Sequence, residues 1–471
     1  MIFAKDGSGD FTTAQEENKA EIPWENGKLK ISENKRFLEH ENGAPFFWLG
    51  DTGWLLFSKL DRMEAESYLE DRREKEFNVV QVMALHDVAE TNVYGKLALI
   101  NKNIASPNTY VNDNNLGEYN FWEHMDYIVD KAAQKGIYLA MVPVWGSIVK
   151  AGYADKNSIK AYGEWLANRY KERNNIIWII GGDINGEDNK ELWITLAETI
   201  KKISPDQLMT FHPLGRTQSS SWFHNEKWLD FNMVQSGHRR YDQIMKKEDE
   251  GEKNISIGQD NWRYIENDYS KKPPKPTIDG EPSYEGIPQG LHDPLQPYWT
   301  DDDCRRYAYW SVFAGAFGYT YGHSAVMQMH KQDSGKGSYG VRKFWQEAIN
   351  DPGAGQMKYL KQLMLAVPFF ERVPDQTIIN RDVGSRYERL IATRGKDYIF
   401  VYNYKGRIFS INMGKISGDS VKANWYSPRD GSIHFIGCFE NSGIKEFTPP
   451  GKCEEGNDWV LVVTDNAINY I

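Results

Sequence analysis

The stretch IIWIIGGDINGE, Ile176 to Glu187, runs an unbroken apolar segment into two glycines and then an aspartate. A strand buried on both faces has no use for a carboxylate, whereas the end of a strand that opens on a functional edge does. The same rhythm recurs along the chain in FFWLGDTGW (46–54), FNVVQVMALHD (77–87), GIYLAMVPVWG (136–146), QLMTFHP (207–213), FNMVQSGH (231–238), KPTIDGEPSYEG (275–286) and GAFGYTYGHSA (315–325). Between these runs lie stretches such as MEAESYLEDRREKE, FWEHMDYIVDKAAQKG, SIKAYGEWLANRYKERN and NKELWITLAETIKKISP, apolar at intervals of three to four and charged elsewhere, as amphipathic helices are. Strands that are continuously apolar and alternate with helices predict a parallel sheet covered on both faces. Eight such units predict a (β/α)8 TIM barrel, an α/β fold, rather than an open doubly wound sheet, because LGDTGW is not the glycine-rich phosphate loop that the open sheet carries after its first strand.

After MKYLKQLMLAVPFFERVPDQ the pattern changes to short alternating strands with turn signals: ERLIATRG, DYIFVYNYKG, VKANWYSPRDGSIHFIG and DWVLVVTD. They predict a C-terminal antiparallel β-sandwich domain. The expected organisation is an N-terminal extension over 1–24, a barrel over 25–370 and a sandwich over 371–471, the sandwich stiffening the barrel rather than binding glycan through a planar row of rings.

At 471 residues the chain is too long for one ordinary core, and 40% apolar with 26% charged residues describe a globular protein. A net charge of −10 without a basic patch argues against a nucleic-acid partner. No apolar run reaches the roughly 20 residues of a membrane span. Export to the periplasm or surface of a bacterium with the leader removed is expected, the cytoplasm being the alternative, and the chain is expected to act as a monomer. The 16 Trp and 26 Tyr offer flat rings that stack on sugars, although such rings also fill cores. Three cysteines make no disulfide framework; Cys438 and Cys453 could pair under oxidising conditions, but free buried thiols are the expectation.

In a barrel of this kind the residues just past each strand converge on one pocket. Those are Asp51, His86 with Asp87, Trp145, Asp183, His212, His238, Glu281 and His323. Each has a bland alternative: Asp51 an N-cap, His86 and His212 satisfied core histidines, Trp145 packing. Asp183 and Glu281 form the sharpest pair. Gly181 and Gly182 before Asp183 would let backbone and ligand approach closely, and Pro282 ends the pairing of the seventh strand. The fourth and seventh strands face each other across the barrel mouth, and glycoside cleavage needs two facing carboxyls, one protonated and one ionised. No HExxH or paired-His spacing marks a metal, so no cofactor or metal is expected. Asp6, Ser8, Asp10 and Glu17 partly fit a calcium loop, but Phe11 stands where its glycine should be. Asp301, Asp302 and Asp303 read as the acidic first turn of a helix after the seventh strand. The charged, Tyr- and Pro-rich segment 248–276 is either a pocket wall or a solvated insertion.

NGAPFFWLGDTGWLLF, FNVVQVMALH, IIGGDIN, DGEPSYEGIP, the histidine of YGHSA and the tail WYSPRDGS, EFTPP and DWVLVV together resemble glycoside hydrolase family 140, the apiosidase-like proteins, over residues 25 to 471. The resemblance implies a barrel enzyme releasing apiose units from pectic, rhamnogalacturonan II type side chains of plant cell walls, with a C-terminal sandwich described as collagen-binding-like. It implies Asp183 as acid/base and Glu281 as nucleophile. Retaining barrel glycosidases usually carry Asn-Glu after strand four, where this chain has Gly182-Asp183; Glu187 and Glu285 are the spare acid and nucleophile, both read as solvated loop charges. A retaining double displacement predicts carboxyls about 5 to 5.5 Å apart, and roughly 6.5 to 9.5 Å would imply inversion. Asp183 is expected to have a raised pKa from burial and the Glu281 charge. Asp51, His86, Trp145, His212, His238, Tyr284 and His323 are expected around the bound sugar. Another sugar, an arabinofuranoside or a uronide, and a non-catalytic carbohydrate-binding protein are the alternatives.

Overall fold

The computed structural model describes residues 22–110, 119–243, 259–468 and 470. Among them, the eight apolar runs form eight parallel strands: β1 (Trp48–Thr52), β2 (Val79–Met83), β3 (Tyr138–Val142), β4 (Ile176–Ile184), β5 (Met209–Pro213), β6 (Asn232–Gln235), β7 (Thr277–Asp279) and β8 (Gly318–Tyr321). Parallel pairing runs from β5 back to β1, across to β8 and on to β6. The ring closes where Asp230 N–H donates to the Met209 carbonyl at 2.9 Å and Thr210 Oγ1–H to the Phe231 carbonyl at 2.7 Å. Thr217–Gln218 adds a short antiparallel edge to β6.

The helices α1 (Arg62–Glu74), α2 (Phe121–Gln134), α3 (Lys156–Tyr170), α4 (Lys190–Ile203), α5 (Trp262–Ser270), α6 (Asp301–Phe313) and α7 (Pro352–Leu365) pack outside the strands. Their starts are set by sequence: Asp61 and Glu64 close a capping box on α1, and the Asn120 side chain accepts from Glu123 N–H at α2. Thr300 and Asp303 do the same for α6, where Asp301 pairs with Arg305 and Asp303 with Arg306. The acid triplet is therefore helix-starting chemistry, as expected. Only a single turn, Ser220–Phe223, follows β5 before the chain returns to β6.

A three-stranded antiparallel ribbon, Leu29–Ile31, Leu38–His40 and Pro45–Phe46, lies at the opposite end of the barrel from the strand C-termini, with the Phe46 ring 5.4 Å from that of Tyr138 at the start of β3. The sandwich comprises β9 (Val373–Pro374), β10 (Leu390–Arg394), β11 (Tyr398–Asn403), β12 (Phe409–Asn412), β13 (Ser420–Tyr426), β14 (Ile433–Glu440), β15 (Ile444–Phe447) and β16 (Trp459–Asp465). Its main sheet has the order β9-β10-β11-β16-β13-β14, and β12 pairs with β15. The sandwich shares a core with the barrel: Tyr309 on α6 stacks on Tyr402 at 4.8 Å, and buried Arg305 grips buried Asp458 through Nε at 2.9 Å.

Most aromatic residues serve as packing; Trp48, Trp122, Trp178, Trp193, Trp299, Trp310 and Trp345 are fully buried. The cysteines depart in part from expectation: all three are free, but Cys438 and Cys453 are exposed because β14 is an edge strand and Cys453 sits in a surface loop. The calcium-loop residues Asp6, Ser8, Asp10 and Glu17, and residues 248–258 of the charged segment, lie outside the described residues.

Candidate active site

At the C-terminal mouth of the barrel a cavity of about 400 Å³ is lined by Asp183 and Glu281 together, with Trp54, His86, Trp145, Arg216, Gln235, His238, Arg239 and Tyr339 among its walls. The turn that carries Asp183 is a β-bulge. Gly181 pairs with His212 and Ile184 with Pro213, so Gly182 and Asp183 are extra residues on β4 and the carboxylate is re-aimed into the mouth. Gly181, Gly182 and Asp183 all have positive φ, at 92°, 109° and 48°. The glycines are required by protein rather than ligand: a Cβ on Gly182 would lie 2.4 Å from the Trp145 ring, and one on Gly181 2.7 Å from the His212 carbonyl oxygen. The close approach of backbone expected there is met at Gly181, while the expected room for a ligand is corrected, since both missing Cβ positions face protein. Asp183 itself accepts the left-handed conformation, a strained position for a residue with a Cβ and one often found at functional sites.

His212, fully buried at the end of β5, fills the bulge. Its Nδ1 accepts the Asp183 backbone N–H at 3.2 Å, so this nitrogen carries no proton. The proton of the neutral ring is therefore on Nε2, which lies 3.1 Å from Glu281 Oε2, although the N–H does not point squarely at the oxygen. His238 Nε2 approaches the other oxygen, Oε1, at 3.1 Å. Burial alone would push Glu281 up, but these two imidazoles outweigh it and hold the carboxyl at about 2. Asp183 is shifted the other way: crowding by the cavity walls raises it, the Glu281 charge raises it further, and the Gln235 side chain and the Gly215 backbone oppose the rise. By area Asp183 is exposed because the cavity opens over it, while the walls on its other sides deprive it of bulk water. The opening decides access and the walls decide the direction of the shift. One cavity thus holds one carboxyl pushed toward its acid form and one held as the anion.

Of the residues expected around a sugar, Trp145, His86 and His238 line the cavity. Trp145 forms an aromatic corner with Trp54, their ring centroids 5.4 Å apart. His212 lies behind Glu281 and Asp183 rather than on the cavity surface. Three others are corrected. Asp51 is wholly buried on the helix side of β1, where Oδ2 accepts from Tyr68 Oη at 2.6 Å and Arg72 Nη1 at 3.0 Å; a period-two strand turned it away from the mouth. His323 starts the turn Ser324–Met327, accepting Ala325 N–H on Nδ1, while its Nε2 lies 3.0 Å from Asp351 Oδ2. Tyr284 is fully buried, its ring edge-on to His238 at 4.8 Å, so it braces His238 and does not line the cavity. Of the spare acids, Glu187 is exposed beside Lys190, as expected. Glu285 is not a solvated charge: it is buried, accepts from Tyr321 Oη at 2.6 Å and Gly353 N–H at 3.1 Å, and burial raises it to about 7.

Sequence reasoning missed Trp54, Gln235, Arg216, Arg239 and Tyr339. Trp54 and Gln235 had a signal, since both stand at strand ends in GDTGW and FNMVQSGH. Tyr339 comes from the loop after β8, far from any strand run; it lines the same cavity as the pair, and desolvation and the charges of Asp183 and Glu281 all raise its phenol.

A parallel barrel whose mouth holds two carboxyls shifted in opposite directions is the framework of a glycoside hydrolase, and the similarity to known proteins identifies that class. A solved structure titled "Glycoside hydrolase" is 52% identical, covering 96% of this chain and 100% of its own, with a TM-score of 0.91. A glycoside hydrolase family 5 structure from Bacteroides vulgatus ATCC 8482 is 49% identical over 96% of both chains, with a TM-score of 0.90. The chain belongs to the apiosidase-like family, whose catalytic-domain model matches residues 32–371. Residues 373–464 match a model whose description proposes a collagen-binding domain of a collagenase. No curated protein sequence matches the chain.

Proposed function

We propose that this glycosidase is a retaining enzyme that cleaves apiose-containing linkages in pectic side chains of the rhamnogalacturonan II type. Glu281 attacks the anomeric carbon while Asp183 protonates the departing oxygen; Asp183, now ionised, takes a proton from water, and that water releases the sugar from Glu281. The observation that carries this reading is the opposed treatment of the two carboxyls. Glu281 is held as an anion by His212 and His238, and Asp183 is raised by crowding and by that anion. A base held low is a poor proton acceptor and a ready oxygen nucleophile, whereas a raised acid keeps its proton near neutral pH. Trp54 and Trp145 offer ring faces to the sugar, and Gln235 positions the Asp183 carboxyl.

Arg216 and Arg239 on the cavity wall favour a second reading, a uronide in place of apiose. Digestion of pectic side-chain fragments by wild type, Glu281→Gln and Asp183→Asn, with the released sugar identified, tests both. Free or oligosaccharide-borne apiose supports the first reading, a released uronic acid the second, and equal rates for wild type and Glu281→Gln remove the mechanism.

A further inference from the structure

The cavity that holds Asp183 and Glu281 does not end at its own wall. Leu55 and His86 line it on one side and, on their other side, line a second, more open groove of about 620 Å³. That groove is formed by residues 87–93 of the loop after β2 and by Lys331, Asp333 and Ser334 of the loop after β8. The connection after β2 is long for a barrel, and long connections that hold a defined path, as residues 84–110 do here, are usually functional. This one has its own anchors: buried Val88, Ala98, Leu99 and Ile104, and the Asn92 side chain, which donates to the Tyr119 carbonyl and accepts from Tyr94 and Lys96 N–H. The wall is therefore preformed.

Its chemistry is mixed. Leu55 and the half-exposed Val93 give an apolar floor, and Asp87, Glu90, Asp333 and Lys59 give polar sides. Asp87 and Glu90 are oriented by backbone N–H groups, Ala89 N–H to Asp87 Oδ1 at 2.7 Å and Asp87 N–H to Glu90 Oε2 at 3.1 Å. Of the two lysines, Lys331 is neutralised by Glu64, which leaves three carboxylates against one lysine. Such a surface fits sugars, whose C–H faces take apolar contact and whose hydroxyls donate to carboxylates, and it repels a chain of uronates.

We infer that this groove is an extended subsite for uncharged sugar units joined to the residue cleaved in the cavity, so that the enzyme favours neutral oligosaccharide chains over single glycosides. This deepens the glycosidase reading and rests on it for the kinetic arm of the test.

The test fills the groove from opposite walls with Ala89→Trp and Asp333→Trp, two exposed positions outside the catalytic cavity. An aryl glycoside confined to the cavity is compared with the same glycoside lengthened at either end by one or two neutral sugar units. The expected result is unchanged turnover of the short compound and a KM raised about tenfold for the lengthened one in both variants. Equal effects on both compounds, or none on the longer, overturn the inference. Calorimetry on Glu281→Gln with desalted neutral pectic oligosaccharides and with trigalacturonate separates the two readings. Neutral chains that bind and are lost in both tryptophan variants support the groove even if no substrate is turned over, and preferential binding of trigalacturonate there overturns it.

Discussion

His212 lies 3.1 Å from the Glu281 carboxylate through Nε2 while its Nδ1 receives the backbone N–H of Asp183. One neutral ring therefore ties the anion to the bulge that aims the acid. The two duties sit on different nitrogens and can be separated by substitution. His212→Asn keeps an acceptor near Nδ1 and loses the donor to Glu281; His212→Gln places an amide near Nε2 and gives up the acceptor. Loss of the donor raises the Glu281 pKa from about 2, so the acid limb of the kcat/KM pH profile should move to higher pH in His212→Asn and stay in place in His212→Gln. In the latter, kcat falls by about tenfold or more because Asp183 is no longer held. A uniform loss in both variants with no movement of the acid limb would reduce His212 to packing.

The Asp183 shift has two causes that a single substitution distinguishes. The crowding by the cavity walls remains in Glu281→Gln, but the nearby negative charge is gone. The Asp183 pKa should therefore fall toward the ordinary carboxylate range, which carbon-13 chemical shifts of labelled aspartate can follow through a pH titration. The consequence in the wild type is that activity declines as pH rises through the raised Asp183 pKa, because the proton donor is lost. An unchanged Asp183 titration in the variant would mean that the two carboxyls do not sense each other.

Asp51 is a stability residue. The Asp51–Arg72 pair is 0% exposed on both sides. Removing Asp51 leaves the buried Arg72 guanidinium to Asp71 and the Ile349 carbonyl and takes the acceptor from Tyr68 Oη, so Asp51→Ala should cost about 3 kcal/mol. Urea unfolding measures this. Where the variant remains folded, KM should match the wild type; a specific rise in KM at full stability would return Asp51 to the substrate.

Glu285 gives the fold a pH dependence of its own. Its folded pKa of about 7 stands above its ordinary value of 4.5, so the stability it contributes is complete below the lower value and is lost as pH rises through the upper one. The size is about 3 kcal/mol by linkage. Glu285→Gln should flatten the fall in Tm across that interval, and a slope equal to wild type would show that the group stays ionised in the fold.

The barrel was legible because period and burial go together: each of the eight apolar runs is a buried parallel strand, and glycine, proline or a polar residue marks its end. The sandwich was legible for its long strands but not for β12 and β15, four residues each, whose pairing is set by contact between chain segments far apart. Asp183 and Glu281 were found because they follow strands that oppose each other. Asp51 within the end of β1 and His323 just past β8 stand at strand ends too, yet point outward or into a turn, since a one-residue step reverses a side chain's face. Tyr339, Arg216 and Arg239 sit on loops whose path no local pattern encodes.

The most direct measurement is mass spectrometry of the enzyme after reaction with an activated 2-deoxy-2-fluoro glycoside of the sugar it releases, a reagent that slows breakdown of a covalent intermediate. The account predicts one added glycosyl mass, located by proteolysis on Glu281 and absent in Glu281→Gln. A label on another carboxylate, or turnover of the natural substrate with inverted anomeric configuration and no label, would contradict it.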